Sequence, residues 1–233
     1  MIVFKLIMWY NIPEMEDNMR YKYIFFDLDG TLTDPQEGIT NCVKYALEYY
    51  GIHETDYSKL MRFIGPPLVW SFHEYYGFDE QKSLEAVDKY RERFSTIGLF
   101  ENKVYDGIYD VLQRLTDSGH VLVLATSKPK VFADRIMTKY RLRPYFKLIC
   151  GSELDGTRND KNEVIDYAIE KLDCPREKVI MVGDRKHDII GAKKCGIASC
   201  GVRFGYAEEG ELEAAGADMI AENMDDLLEK LMQ

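Results

Sequence analysis

The chain has 233 residues, 46% apolar and 30% charged, the balance of a globular protein that can bury a core in one large domain or two modest ones. A formal net charge of −10 at pH 7 argues against nucleic-acid binding, which needs concentrated lysine and arginine. An anionic small molecule stays open as a ligand, because local charge and bound cations set the field inside a pocket.

The first ten residues, MIVFKLIMWY, are apolar but too short to span a bilayer, and NIPEMEDNMR follows them without a small-residue cleavage site. Residues 1–20 therefore read as an N-terminal extension, with Met19 as a natural start and no membrane anchor. Five scattered cysteines (Cys42, Cys150, Cys174, Cys195 and Cys200) form no CxxC pair. They read as reduced thiols of a cytoplasmic protein, without a zinc site or a disulfide framework.

Past Tyr21, short β-rich runs alternate with amphipathic stretches. The runs Tyr23–Leu28, Val121–Thr126, Leu148–Cys150, Val179–Val182 and Ser199–Val202 predict strands. Helical spacing predicts helices at Ile108–Ser118, Val131–Tyr140, Glu163–Leu172 and Asp188–Cys195, and two more between Glu208 and Met232 around a short DMI run. Near-continuous apolar strands separated by helices indicate a parallel sheet covered on both faces. One region breaks the alternation: Ile39–Tyr50, Val69–Tyr76 and Asp79–Ile97 are helical patterns in a segment too long for one crossover. The expected organisation is α/β: a doubly wound parallel sheet (a Rossmann-like core, residues 21–36 and 103–233) with an inserted helical cap domain over residues 37–102.

The first strand runs into Asp27 and Asp29, and desolvated carboxylates at the end of a core strand need a partner. KVIMVGD also ends in an acid, Asp184, with Asp188 four residues on. Two acid-tipped strands in one parallel sheet suggest a hard-cation site, and Mg²⁺ takes a few carboxylates plus water and phosphate oxygens. VLVLATSKP ends in Thr126 and Ser127, whose hydroxyls and neighbouring N–H groups can cradle phosphate oxygens or simply cap a helix. Lys161 opens a helix, against the dipole preference, so a negative group is expected in front of it.

In order, FFDLDGTL, LATS, Lys161 and MVGDRKHDI resemble the four motifs of the haloacid dehalogenase superfamily, with the likeness running from Tyr21 onward. The placement of the insertion is similar to the small helical cap of its phosphoglycolate phosphatase, β-phosphoglucomutase and 5′-nucleotidase branch. DLDGTLTDPQEGI, FIGPPL and ATSKP look most like the phosphoglycolate phosphatase part. The resemblance implies a Mg²⁺-dependent phosphatase of small phosphorylated metabolites, with Asp27 as nucleophile and Asp29 as acid and then base. It also implies that Asp27, the Asp29 carbonyl and Asp184 hold the metal, with Asp188 supporting it directly or through water, and that Thr126, Ser127 and Lys161 bind the phosphoryl oxygens. Of the two hydroxyls, motif spacing favours Thr126. Dehalogenases of the superfamily lack the second Asp, and P-type ATPases carry Thr there, so Asp29 points to turnover.

In the insertion, Arg62 is a candidate for a substrate carboxylate or a surface charge. Phe63, Trp70, Phe72, Tyr75 and Tyr76 are expected in the helical core, and His73 in a structural role. Two alternatives share the motifs: a phosphomutase of the β-phosphoglucomutase type, and a non-catalytic phospholigand-binding protein. The oligomeric state is not legible.

Overall fold

A computed structural model describes residues 19–233; the extension expected over residues 1–20 lies outside the described residues except for Met19 and Arg20. The chain runs through β1 (Tyr23–Phe26), β2 (Thr33–Asp34), α1 (Gln36–Tyr49), α2 (Tyr57–Met61), α3 (Leu68–Tyr76), α4 (Glu80–Phe94) and β3 (Lys103–Val104). It continues with α5 (Ile108–Asp117), β4 (Val121–Pro129), α6 (Lys130–Lys139), β5 (Phe146–Ser152), α7 (Lys161–Leu172) and β6 (Val179–Gly183). The last part holds α8 (Lys186–Cys195), β7 (Ala198–Val202), α9 (Glu211–Ala215), β8 (Met219–Ala221) and α10 (Met224–Leu231).

Six strands form one parallel sheet in the order β5-β4-β1-β6-β7-β8. Strands alternate their side chains between two faces, and here that alternation sorts the core into two layers. Ile24, Phe26, Leu122, Leu124, Ile180 and Val182 join one apolar cluster with residues of α5, α6 and α10. Phe25, Val123, Ala125, Val179 and Met181 join the other, with Val164, Ile165 and Ala168 of α7 and Ala192 of α8. The result is the Rossmann-like α/β arrangement, and it explains why these strands read as continuous apolar runs: both faces are covered. The order reverses at β1, which has β4 on one side and β6 on the other, so a crevice opens at its carboxyl end.

The segment between β2 and β3 holds α1 to α4, and its two flanking strands pair antiparallel, Thr33 opposite Val104. Its core is aromatic: Phe63 meets Phe72 edge-on at 5.0 Å, and Phe72 stacks on Phe78 at 6.0 Å. Trp70 departs from its expected core position and is 47% exposed. It lies two residues from the buried Phe72, about 200° around the helix, and so faces away from that core. His73 is structural, its Nδ1 2.7 Å from the Phe78 carbonyl oxygen. The helix expected over Asp79–Ile97 stops at Phe94, where the Ser95 N–H caps back onto the Arg91 carbonyl. The two-residue strands β2 and β3 and the five-residue α2 carry no readable periodicity. Among the described residues no helix is long and apolar enough to cross a membrane.

Phe25 is fully buried on the central strand. Phe25→Ala is expected to destabilise the fold by about 3–5 kcal/mol, read from urea unfolding; a loss under about 1 kcal/mol would mean the site collapses around the missing ring.

Candidate active site

Beyond Phe26 the Asp27 N–H still donates to the Val182 carbonyl, at 2.9 Å, so its backbone is fixed by the β1–β6 pairing. The chain then turns: the Leu28 carbonyl accepts from the N–H groups of Thr31, Leu32 and Thr33, and Gly30 N–H donates to Thr33 O at 2.7 Å. Gly30 has φ +80°, and a Cβ there would stand 2.0 Å from Asp184 Oδ2. Glycine is required twice over, for the left-handed turn and for the approach of a carboxylate to the backbone.

Asp184 follows β6 and is fully buried. Its Oδ2 accepts from the Tyr206 N–H at 2.8 Å, and its Oδ1 from the Thr31 hydroxyl at 3.4 Å. Asp188 sits in the first turn of α8, where its Oδ2 accepts from the Arg185 N–H at 3.1 Å. One oxygen therefore caps the helix while the other, Oδ1, turns into the site. Carboxylate oxygens of Asp27, Asp184 and Asp188 lie within 4.8 Å of one another, the one such acidic group among the described residues. The negative groups in front of Lys161 are two of these carboxylates. Its Nζ is 2.8 Å from Asp27 Oδ1 and 2.8 Å from Asp188 Oδ1, and it donates to the Ala125 carbonyl at 3.1 Å.

Thr126 is buried, and its Oγ1 accepts from the Lys128 N–H at 3.2 Å. Ser127 offers its carbonyl to the Ser152 hydroxyl at 2.8 Å. β4 runs on through both to Pro129, with an irregular register against β5 between Ala125 and Pro129. Arg62 is brought to none of these groups; its guanidinium lies over the Tyr75 ring at 4.0 Å.

Several contributors escaped sequence reasoning. Lys128 places Nζ 2.8 Å from Asp29 Oδ1 and 2.7 Å from Oδ2. Its residue sat inside the quoted ATSKP, one position past the hydroxyl pair, without a spacing to mark it. Gly205 and Tyr206 come from a loop after β7: a Cβ on Gly205 would stand 2.3 Å from that of Asp184. Arg185 donates to the Ile64 carbonyl of the helical insertion at 2.7 Å and pairs with Glu211 at 2.9 Å, tying the two parts of the chain together beside the acids.

Three clustered carboxylates, two of them buried, against one ammonium leave two negative charges when all are ionised. Burial, then repulsion from Asp188 and Asp27, pushes the Asp184 carboxyl well above its ordinary value. Asp188 is raised by burial against the pull of Lys161. Burial works against the Lys161 charge, but Asp188 and Asp27 outweigh it and its pKa rises. Asp29 is raised by burial, opposed by Lys128. Asp27 Oδ1 and Asp188 Oδ1 are buried atoms that both rely on the single Lys161 ammonium, 2.8 Å from each. Buried acceptors with spare capacity and excess negative charge fit a small divalent cation. Such a set can hold a cation beside a carboxylate nucleophile and offer a separate carboxyl, Asp29, for proton transfer.

The family model described as haloacid dehalogenase-like hydrolase matches residues 24–202. A protein of Pseudomonas aeruginosa named 5′-nucleotidase is 50% identical over 84% of this chain and 89% of its own. The tyrosine-protein kinase PtkA of Mycobacterium tuberculosis is 33% identical over 89% of this chain and 72% of its own. The solved structure of a predicted phosphatase from Clostridium acetobutylicum superposes with a TM-score of 0.88 at 49% identity, covering 91% of this chain and 98% of that one.

A carboxylate whose folded pKa is raised holds its proton more tightly in the native state, so its contribution to stability falls as pH rises from the ordinary 3.8 through the raised value. In EDTA, Asp184 and Asp188 are expected to make the protein progressively less stable over that window. Saturating Mg²⁺ should remove the loss and raise Tm at pH 7 by about 5–10 °C. Asp184→Asn should melt above wild type in EDTA and respond little to Mg²⁺. Thermal melts across pH with and without the cation check this, and coincident wild-type curves would exclude a cation at these acids.

Proposed function

The chain belongs to the haloacid dehalogenase-like hydrolase family, and from that premise we propose that it hydrolyses small phosphomonoesters, phosphoglycolate- or nucleotide-like, through a phosphoryl group carried on Asp27. It is a phosphoric monoester hydrolase of that family, its relatives including a protein named phosphoglycolate phosphatase as well as the 5′-nucleotidase. The observation that carries the reading is the convergence of Asp27, Asp184, Asp188 and Lys161 at one buried point, with Asp29 held apart by a second ammonium.

In this reading Asp27, Asp184, Asp188 and the backbone carbonyl of Asp29 would hold Mg²⁺. Bound there, it would lower the repulsion between an anionic nucleophile and an anionic phosphoryl group. Asp27 attacks phosphorus, so one difficult displacement becomes two easier ones. Asp29 gives its proton to the departing alcohol oxygen and takes one from the water that releases phosphate. Its raised pKa, caused first by burial, suits the acid role. Lys161 and the Thr126 and Ser127 backbone and hydroxyl groups steady the phosphoryl oxygens. The helices within residues 37–102 act as a cap, their contact with the core made by Arg185 on Ile64 and by Phe94 against Phe132 at 5.3 Å. A cap of this kind excludes water and limits the site to small substrates.

Phosphate release is to be measured with Mg²⁺ and with EDTA over 2-phosphoglycolate, nucleoside monophosphates, sugar phosphates and p-nitrophenyl phosphate. Release is expected only with Mg²⁺. Asp27→Asn should abolish it, and Asp29→Asn should lower kcat by about 10²–10⁴-fold. A phosphosugar isomer formed without free phosphate would replace hydrolysis by mutase chemistry, and binding without turnover of any substrate would reduce the protein to a phospholigand binder.

A further inference from the structure

We infer that Lys128 is a specificity-determining residue whose ammonium receives an anionic group carried by the leaving alcohol beside the scissile oxygen. The favoured substrates are then phosphomonoesters whose alcohol bears a carboxylate, or a second phosphate, next to that oxygen. The inference rests on Asp29 being the group that protonates the leaving oxygen.

Position is the first argument. Lys128 Nζ lies within 2.8 Å of both oxygens of Asp29, so whatever alcohol oxygen Asp29 serves also stands beside this ammonium. Its other neighbour is the helical insertion: Nζ is 5.0 Å from the centre of the Phe94 ring of α4, and that ring stacks on Tyr90 at 5.1 Å. The ammonium therefore sits on the leaving-group side, between the core and an apolar wall. Lys161, by contrast, stands with Asp27 and Asp188 on the phosphoryl side.

Burial is the second. The Lys128 side chain is only 7% exposed, and its ammonium meets the two oxygens of Asp29, which leaves one of its three N–H donors for a further acceptor. The phosphoryl group already has Lys161, so a second buried cation is most useful where the alcohol ends. Two arginines of the insertion are engaged elsewhere. Arg93 of α4 is held by both oxygens of Glu101 at 2.6 and 2.8 Å, and Arg62 lies on Tyr75. The substrate carboxylate for which Arg62 was one candidate thus falls, in this inference, to a lysine of the core. Thr126, which accepts the Lys128 N–H, anchors the backbone from which that lysine reaches.

The test uses a matched pair that differs in charge and little in size, 2-phosphoglycolate and 2-hydroxyethyl phosphate, with the bisphosphate of ethylene glycol added to separate a carboxylate from a phosphate. Wild type, Lys128→Met and Lys128→Arg are compared in Mg²⁺ by kcat/KM. Wild type should prefer at least one anionic substrate over the neutral one. Lys128→Met should lose that preference by about ten- to a hundredfold, and Lys128→Arg should keep part of it. Equal losses on charged and neutral substrates would mean that Lys128 only holds Asp29, and would overturn the inference. So would a wild type without preference that still hydrolyses p-nitrophenyl phosphate; absence of that hydrolysis too would instead fell the phosphatase reading, and this inference with it. Should Lys128→Met fail to fold, competitive inhibition of wild type by glycolate and not by ethylene glycol carries the same test, and equal effects of the two overturn it.

Discussion

Everything at the carboxyl end of the sheet is arranged around one electrostatic difficulty: carboxylates that repel one another are gathered out of water. Asp184 and Asp188 are almost wholly enclosed, and Asp27 joins them. Lys161 offsets Asp27 and Asp188 at ion-pair distance, and it does so from the first turn of a helix, where a lysine is otherwise poorly placed. The arrangement stores an appetite for positive charge. It is tolerated because the backbone around it leaves no room for relaxation: Gly30 and Gly205 admit Asp184 so closely that any side chain would collide.

The rest of the fold makes that crowding rigid. β1 is bonded on both edges and covered on both faces, so the direction in which Asp27 leaves the sheet is determined by two parallel ladders and two apolar layers. Asp188 is fixed differently, by spending one oxygen on the start of α8. The two lysines divide the space between them, one against Asp27 and Asp188 and one against Asp29. In the proposed mechanism that division separates the charge needed for attack from the charge needed for departure.

Much of this was legible because it is periodic or because it is costly. Five of the six sheet strands follow from short apolar runs, while β8 was read only as a short run between helices; Asp27, Asp29, Asp184 and Asp188 stand out because acids at strand ends need a reason. Lys161 was legible as an anomaly at a helix start. What escaped was whatever depends on distant segments meeting. Lys128 gains meaning only when β4 lies beside β1, and Gly205 and Tyr206 only when the loop after β7 folds over Asp184. Trp70 was misread because aromatic content suggests a core, while the helix phase set by Phe72 turns it outward. Elements of two to five residues, such as β2, β3 and α2, hold too few positions to show a period.

The placement of β1 also shapes how the chain must assemble. Its neighbours begin at Val121 and Val179, so this strand, made before any other strand of the sheet, cannot have both edges filled until β6 is made. Until β6 emerges, an apolar YIFF segment waits with open hydrogen-bonding groups, the condition under which chains stick to one another. The helices of residues 36–94 are made in that interval and close a cluster of their own around Phe63, Phe72 and Phe78. Local contacts form quickly and distant parallel pairings slowly. Synthesis thus runs opposite to function: the peripheral helices can be ordered early, and the acidic centre cannot form before Asp184 and Asp188 are made.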